Sequence, residues 1–387
     1  MLCLRNANVI TMDGEERITP HCDVLLDGDR IAAIGENLAC EGERIDCTGR
    51  YIVPGFVDAH SHIGGLDMTG GNDEDLNELT NPVTAELNSY YAIDPDSEAF
   101  RVALSHGITT SCVIPGSGNV VGGWGIVIKS AGESLQSRTL VNPVVLKAAV
   151  GINPKGVYSR KTQTPMTRMA IAEVMREYFR KVRDYMKKKA DAGDDKTKLP
   201  PYDEGLEHGI PVLEKKINLK VHSYMHDMMT VLDIADEFDF NVTLDHAQGA
   251  TDFLEEIAGN PHVKGVIYGP IGVGLFPGEG GKIDYDAPYK LDALGVPAAI
   301  MTDGPVTNGA SLLDSCGEAV REGMDPVKAL RLLTVNPAKI LGVDDRLGRL
   351  KPGYDADLIV FDGQPAKDTR ADVLMTLVDG KIVYQKK

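Results

Sequence analysis

Pro54-Gly55-Phe56-Val57-Asp58-Ala59-His60-Ser61-His62 decides how this 387-residue chain is read. A short apolar run ends in two histidines one residue apart. On a strand, residues i and i+2 point to the same face, so His60 and His62 present two imidazoles side by side. A single metal ion needs donors in that arrangement. The alternative is two polar loop residues, and further ligands elsewhere in the chain decide between them.

Downstream, the pattern is strand, loop, helix. Continuous apolar and β-branched runs at 107–114, 143–150, 219–222, 241–246, 264–268 and 298–303 read as strands buried on both faces. Helical patterns fall between some of them, at 168–188 and 228–238. This alternation over residues 54–347 predicts an α/β fold, a (β/α)8 barrel, whose site lies at the C-terminal ends of the strands. His222, His246 and Asp303 are each the last polar residue of their run. The glycine-rich stretch 115–125 reads as a loop. It lacks Gly-Lys-Ser/Thr, and no GxGxxG follows a first strand, which argues against nucleotide binding. The lysine- and aspartate-rich segment 187–201 reads as a solvated helix end and loop.

Residues 1–53 break into short alternating segments separated by Asp13-Gly14 and Asp27-Gly28, the pattern of an antiparallel sheet. Residues 348–387 repeat the style. Neither end carries enough apolar residues to fold alone. The two are therefore expected to pair as a small composite β-sandwich beside the barrel.

The formal net charge is −17, which disfavours nucleic acid and anionic membrane surfaces as partners. No apolar run is long enough to span a bilayer. The first residues lack a charged segment followed by an apolar one, so a cytoplasmic protein is the expectation. The six cysteines form no Cys-x-x-Cys pair and read as buried thiols, with pairing among the four in the first 47 residues left open.

Several motifs together resemble the amidohydrolase superfamily: Val57-Asp58-Ala59-His60-Ser61-His62, Gly107-Ile108-Thr109-Thr110, Thr302-Asp303, Asn336-Pro337-Ala338-Lys339-Ile340-Leu341-Gly342 and Pro352-Gly353-Tyr354-Asp355-Ala356-Asp357-Leu358. They span nearly the whole chain. The resemblance implies a metal-dependent hydrolase acting on a carbon–nitrogen bond of a small-molecule substrate. It also implies a divalent ion, zinc foremost with manganese or iron as alternatives, and one ion or two. His60 and His62 supply two ligands, His222 matches the fifth-strand ligand, and His246 serves a second ion or the substrate. Asp303 matches the eighth-strand aspartate that touches the metal and shuttles the proton. Lys147, within the fourth strand, is either a carbamylated bridging ligand of a two-metal site or one partner of a salt bridge inside the barrel.

Two departures stand at the barrel mouth. Ile152 occupies the place of a glutamate in imidazolonepropionase-like relatives, and Gly304 that of a histidine. They suggest a changed substrate or, as the alternative function, a barrel that binds or assembles without catalysis. Met225 replaces the glutamate that deaminases of the superfamily use as proton carrier, which disfavours deamination. The expected reaction is hydrolysis of an amide, as in a dipeptide or N-acyl amino acid. Lys155, Tyr158 and Arg168 are candidate carboxylate anchors, and His226 a candidate substrate contact. An acidic barrel of this kind suits a homo-oligomer.

Overall fold

A computed structural model describes residues 1–14, 16–66, 74–271 and 281–387. Sixteen strands are assigned among them. They are β1 (Leu2–Val9), β2 (Thr19–Asp27), β3 (Arg30–Gly35), β4 (Glu43–Asp46), β5 (Tyr51–Pro54), β6 (Phe56–Ser61), β7 (Ile108–Val113), β8 (Val121–Lys129), β9 (Thr139–Ala149), β10 (Asn218–Ser223), β11 (Val242–His246), β12 (Val263–Tyr268), β13 (Ala298–Ile300), β14 (Leu358–Phe361), β15 (Val373–Val378) and β16 (Lys381–Gln385).

The two chain ends form one sheet in the order β16-β15-β14-β5-β1-β2-β3, with β4 also paired to β1. The join is β14 against β5, antiparallel, with Ile359 opposite Val53 and Val360 opposite Ile52. Leu4, Val24, Leu26, Ile52, Leu358 and Leu377 build its apolar cluster, so each end completes the core that the other lacks. All six cysteines are buried and free.

The second sheet runs β13-β12-β11-β10-β9-β8-β7-β6. It closes through the segment after β13: Asp303 N–H donates to His60 O at 3.2 Å and His62 N–H to Gly304 O at 2.6 Å. The Asp58 carboxylate reinforces the seam by accepting from Thr302 Oγ1 at 2.5 Å. The eight-stranded barrel is thus present, with one strand reversed. β8 is antiparallel to both β7 and β9.

Residues 121–125, expected in a loop, lie in that reversed strand. Their glycines serve close packing rather than flexibility. A Cβ on Gly123 (φ +131°) would sit 2.7 Å from Leu87 O, and one on Gly125 2.4 Å from Ile114 Cγ2. The expected helices are found at Arg168–Ala192 and Asp227–Phe238, the first capped by the Thr167 hydroxyl. No described helix is long and apolar enough to cross a membrane.

Candidate metal centre

His60 and His62 end the first barrel strand, and both imidazoles are oriented through Nδ1. His60 Nδ1 lies 2.5 Å from Asp245 Oδ2, and His62 Nδ1 lies 2.8 Å from Ile114 O. A carbonyl oxygen can only accept, so the His62 proton sits on Nδ1. The Asp245 carboxylate fixes the same tautomer at His60. Each Nε2 is then a lone pair. Both face one oxygen, Asp303 Oδ1, at 3.1 Å. Neither His60 Nε2 nor Asp303 Oδ1, both buried, makes a hydrogen bond.

Three acceptors crowded together without a proton repel one another unless a cation lies among them. The donor atoms of His60, His246 and Asp303 all fall within 4.8 Å of one another. His246 approaches with its ring centroid 4.9 Å from that of His60, and His222 follows 4.0 Å from His246. His246 Nε2 and His222 Nδ1 are also buried without a partner. The remaining nitrogens are held by the Tyr224 hydroxyl, 3.3 Å from His246 Nδ1, and by the Asn153 amide, 3.2 Å from His222 Nε2. This donor set fits a divalent transition metal.

Backbone geometry brings the later residues into place. Strand alternation would send Asp245 and His246 to opposite faces. His246 has φ +67° and Asp303 φ +54°, left-handed values rare for residues with a side chain. Asp245 thus stays inside the strands while the His246 ring turns into the mouth.

Electrostatics follow the same plan. Burial raises the Asp245 carboxyl, but Lys220 and His60 outweigh it and bring it down to about 2. Lys220 Nζ lies 2.7 Å from Asp245 Oδ2. Burial and then the nearby Lys147 push His222 down, while burial and then His222 push His246 down, so both rings are neutral.

Lys147 pairs in register with Lys220 across β9 and β10. It is fully buried, and its Nζ has no hydrogen-bond partner. Burial lowers it to about 8, with Asp245 and Asp303 opposing. The salt bridge expected as one reading of Lys147 belongs instead to its neighbour Lys220.

His62, His222, His246 and Asp303 open into a cavity of about 480 Å³ that Tyr224, Gln248 and Arg160 also line. Of the four candidate substrate contacts, none lines it. Tyr158 is fully buried and donates to Asn119 Oδ1 at 2.6 Å. Arg168 pairs with Asp227 at 3.0 Å. His226 is exposed against Phe253, ring centroids 5.1 Å apart. Lys155 is partly exposed on the helix Ile152–Arg160, away from the cavity. Sequence reasoning missed Asp245, Lys220, Tyr224 and Asn153. The departure at Gly304 has a packing reason: a Cβ there would lie 2.7 Å from Thr302 Oγ1, in the seam that closes the barrel.

An amidohydrolase from Thermotoga maritima MSB8 is 37% identical and matches 100% of both chains with a TM-score of 0.94. The chain belongs to the amidohydrolase family. The family model, described as "Amidohydrolase family", matches residues 285–383. The family member tasK of Hapsidospora irregularis is 28% identical over 348 residues, 82% of this chain. The chain spans only 35% of that relative's length. The β-aspartyl dipeptidase from Fervidobacterium islandicum AW-1, 15% identical with 99% and 97% of the two chains covered and a TM-score of 0.60, shares the fold.

Proposed function

We propose that this family member is a divalent-metal-dependent hydrolase that cleaves the amide bond of a small substrate such as a dipeptide or N-acyl amino acid. The observation that carries the reading is the crowding of unprotonated nitrogens on Asp303 Oδ1. His60, His62, His222, His246 and Asp303 would hold the ion, zinc foremost. Bound there, it would polarise the scissile carbonyl and bring the pKa of water near 7. Lys147, desolvated and unpaired, is suited to take up carbon dioxide as a carbamate, which would make the site binuclear.

The chain's own residues supply the rest. As a carboxylate with its side chain 13% exposed, Asp303 can take a proton from the attacking water and pass it to the leaving nitrogen. Asp245 and Ile114 O keep the His60 and His62 rings from rotating. Tyr224 and Asn153 place hydrogen-bonding groups beside His246 and His222. The buried walls limit bulk water at the reacting atoms.

Metal analysis of zinc- or manganese-prepared protein, with a dipeptide and N-acyl amino acid screen, tests this reading. Asp303→Asn should lower kcat by about 10³-fold and leave the melting temperature of the folded protein nearly unchanged. Protein that binds no metal under either condition would sink the proposal.

A further inference from the structure

We propose that Arg160 reads a free carboxylate on the substrate, which restricts the site to amides bearing an acid group on the residue next to the scissile bond; this rests on the amide-hydrolysis reading above. The helix Ile152–Arg160 starts at Gly151, whose φ of +79° turns the chain away from β9. Ile152, Asn153, Gly156, Val157 and Arg160 all line the cavity. Their spacing, i, i+1, i+4, i+5 and i+8, is one face of a helix.

Asn153 marks the reacting end, since it touches His222 Nε2. Arg160 lies seven residues further on, roughly 10 Å along the helix axis. In a dipeptide or N-acyl amino acid the carboxylate lies one residue, about 3.5 Å, from the scissile bond, and the flexible arginine stem, whose Cα–Cβ bond tilts back toward the helix N-terminus, takes up the difference. Between the two ends the wall is Gly156 and Val157, without a polar side chain. A Cβ placed on Gly156 would meet nothing within 4 Å, so the space beside it is open. An apolar substrate group suits that stretch.

Charge completes the argument. Among the described residues lining this cavity, Arg160 is the one lysine or arginine and Asp303 the one acid. Asp303 faces the His60 and His62 Nε2 atoms at 3.1 Å and belongs to the proposed metal set. Arg160 is exposed and has no ion pair among the described residues, unlike Arg168, which is held by Asp227. An arginine in a last helical turn also complements the helix dipole, but that role does not require it to line the cavity. The adjoining cavity, which shares His62, carries Glu74, Asp75, Glu78 and Glu86 and, among its described lining residues, no lysine or arginine. An anionic group is repelled from that side and drawn to Arg160.

The test uses the full metal-loaded chain with N-acetyl-L-leucine and L-alanyl-L-leucine, each beside its C-terminal amide. The wild type should prefer the acids. Arg160→Gln should lower kcat/KM for the acids about 100-fold, mainly through KM, and change the amides less than about twofold. Arg160→Lys should restore part of the preference, and metal content should not change in either variant. Equal losses on acids and amides, or no preference in the wild type, would overturn the role of Arg160. If no compound is turned over at all, the hydrolysis reading fails by itself. Thermal shift with N-acetyl-L-leucine then still decides on Arg160, because binding lost in Arg160→Gln supports it and binding retained overturns it.

Discussion

Two buried lysines set a junction where an ammonium meets carboxylates against a barrel mouth where one does not. Lys129, at the junction of barrel and terminal sheet, meets Asp355 at 2.7 Å, Asp357 at 3.1 Å and Asp379. Burial would lower it, but those carboxylates outweigh burial and raise it. Lys147, at the barrel mouth, is just as buried and has no such partner among the described residues. A fold that supplies three carboxylates to one ammonium does not lack the means to pair the other. The proposed metal and carbamate would complete the lone pairs and the amine that the mouth leaves uncommitted.

The comparison breaks most visibly in a pair of substitutions. Lys129→Met leaves the buried Asp357 uncompensated, while Asp355 keeps Arg30 and Arg346, and should cost about 3–5 kcal/mol of stability, with kcat per folded molecule unchanged. Lys147→Met removes an unpaired buried amine and should leave the melting temperature equal or higher. It should also reduce bound metal and lower kcat by at least about 100-fold. Thermal denaturation, metal analysis and kinetics on both variants check this. If Lys147→Met destabilised the fold as much as Lys129→Met, the two lysines would be equivalent and the contrast would be gone.

A pH series sharpens the junction side. Asp357 is raised to about 6, chiefly by burial, with Lys129 opposing. Its ordinary value is about 3.9, so between those two values the folded state binds more protons than the unfolded one. The stability it contributes is fully present below pH 4 and is lost as pH rises through about 6. Asp357→Asn cannot titrate. The unfolding free energy of wild type minus variant should therefore fall between pH 4 and 6 and stay level above, measured by urea unfolding at each pH. A difference that does not vary with pH would show that Asp357 titrates at its ordinary value in the folded protein.

The sequence exposed one layer of the site and hid the next. His60, His62, His222, His246 and Asp303 are legible because each is a polar residue at the end of an apolar run. Asp245 is hidden by its place one residue before His246, where alternation assigns it to the outer face. Only the positive φ of His246 resolves that conflict, and no local signal announces it. Lys220 had a usable signal, since it is i−2 from His222 on one strand face and is a charge within an apolar run. The terminal sheet was legible from the shortage of apolar residues at each end. Strand β8 was not, because glycines packed against Leu87 and Ile114 look in one dimension like glycines in a turn.

The smallest expected effects come from residues chosen by nearness in sequence to the site. Lys155, Tyr158 and Arg168 follow the fourth barrel strand, and all three carry groups able to bind a carboxylate. Helical rotation separates them from it. Five residues divide Lys155 from Arg160, which at 3.6 residues per turn places them well apart around the axis. Tyr158 turns inward to Asn119, and Arg168 belongs to the following helix with its head on Asp227. Arg168→Ala removes a half-exposed ion pair and should change stability by no more than about 1 kcal/mol. It should leave KM for N-acetyl-L-leucine within about twofold of wild type, against the large rise expected for Arg160→Gln. Steady-state kinetics on the two variants side by side separates them. A KM increase in Arg168→Ala as large as that in Arg160→Gln would mean that proximity along the chain, not the helix face, chooses the substrate contacts.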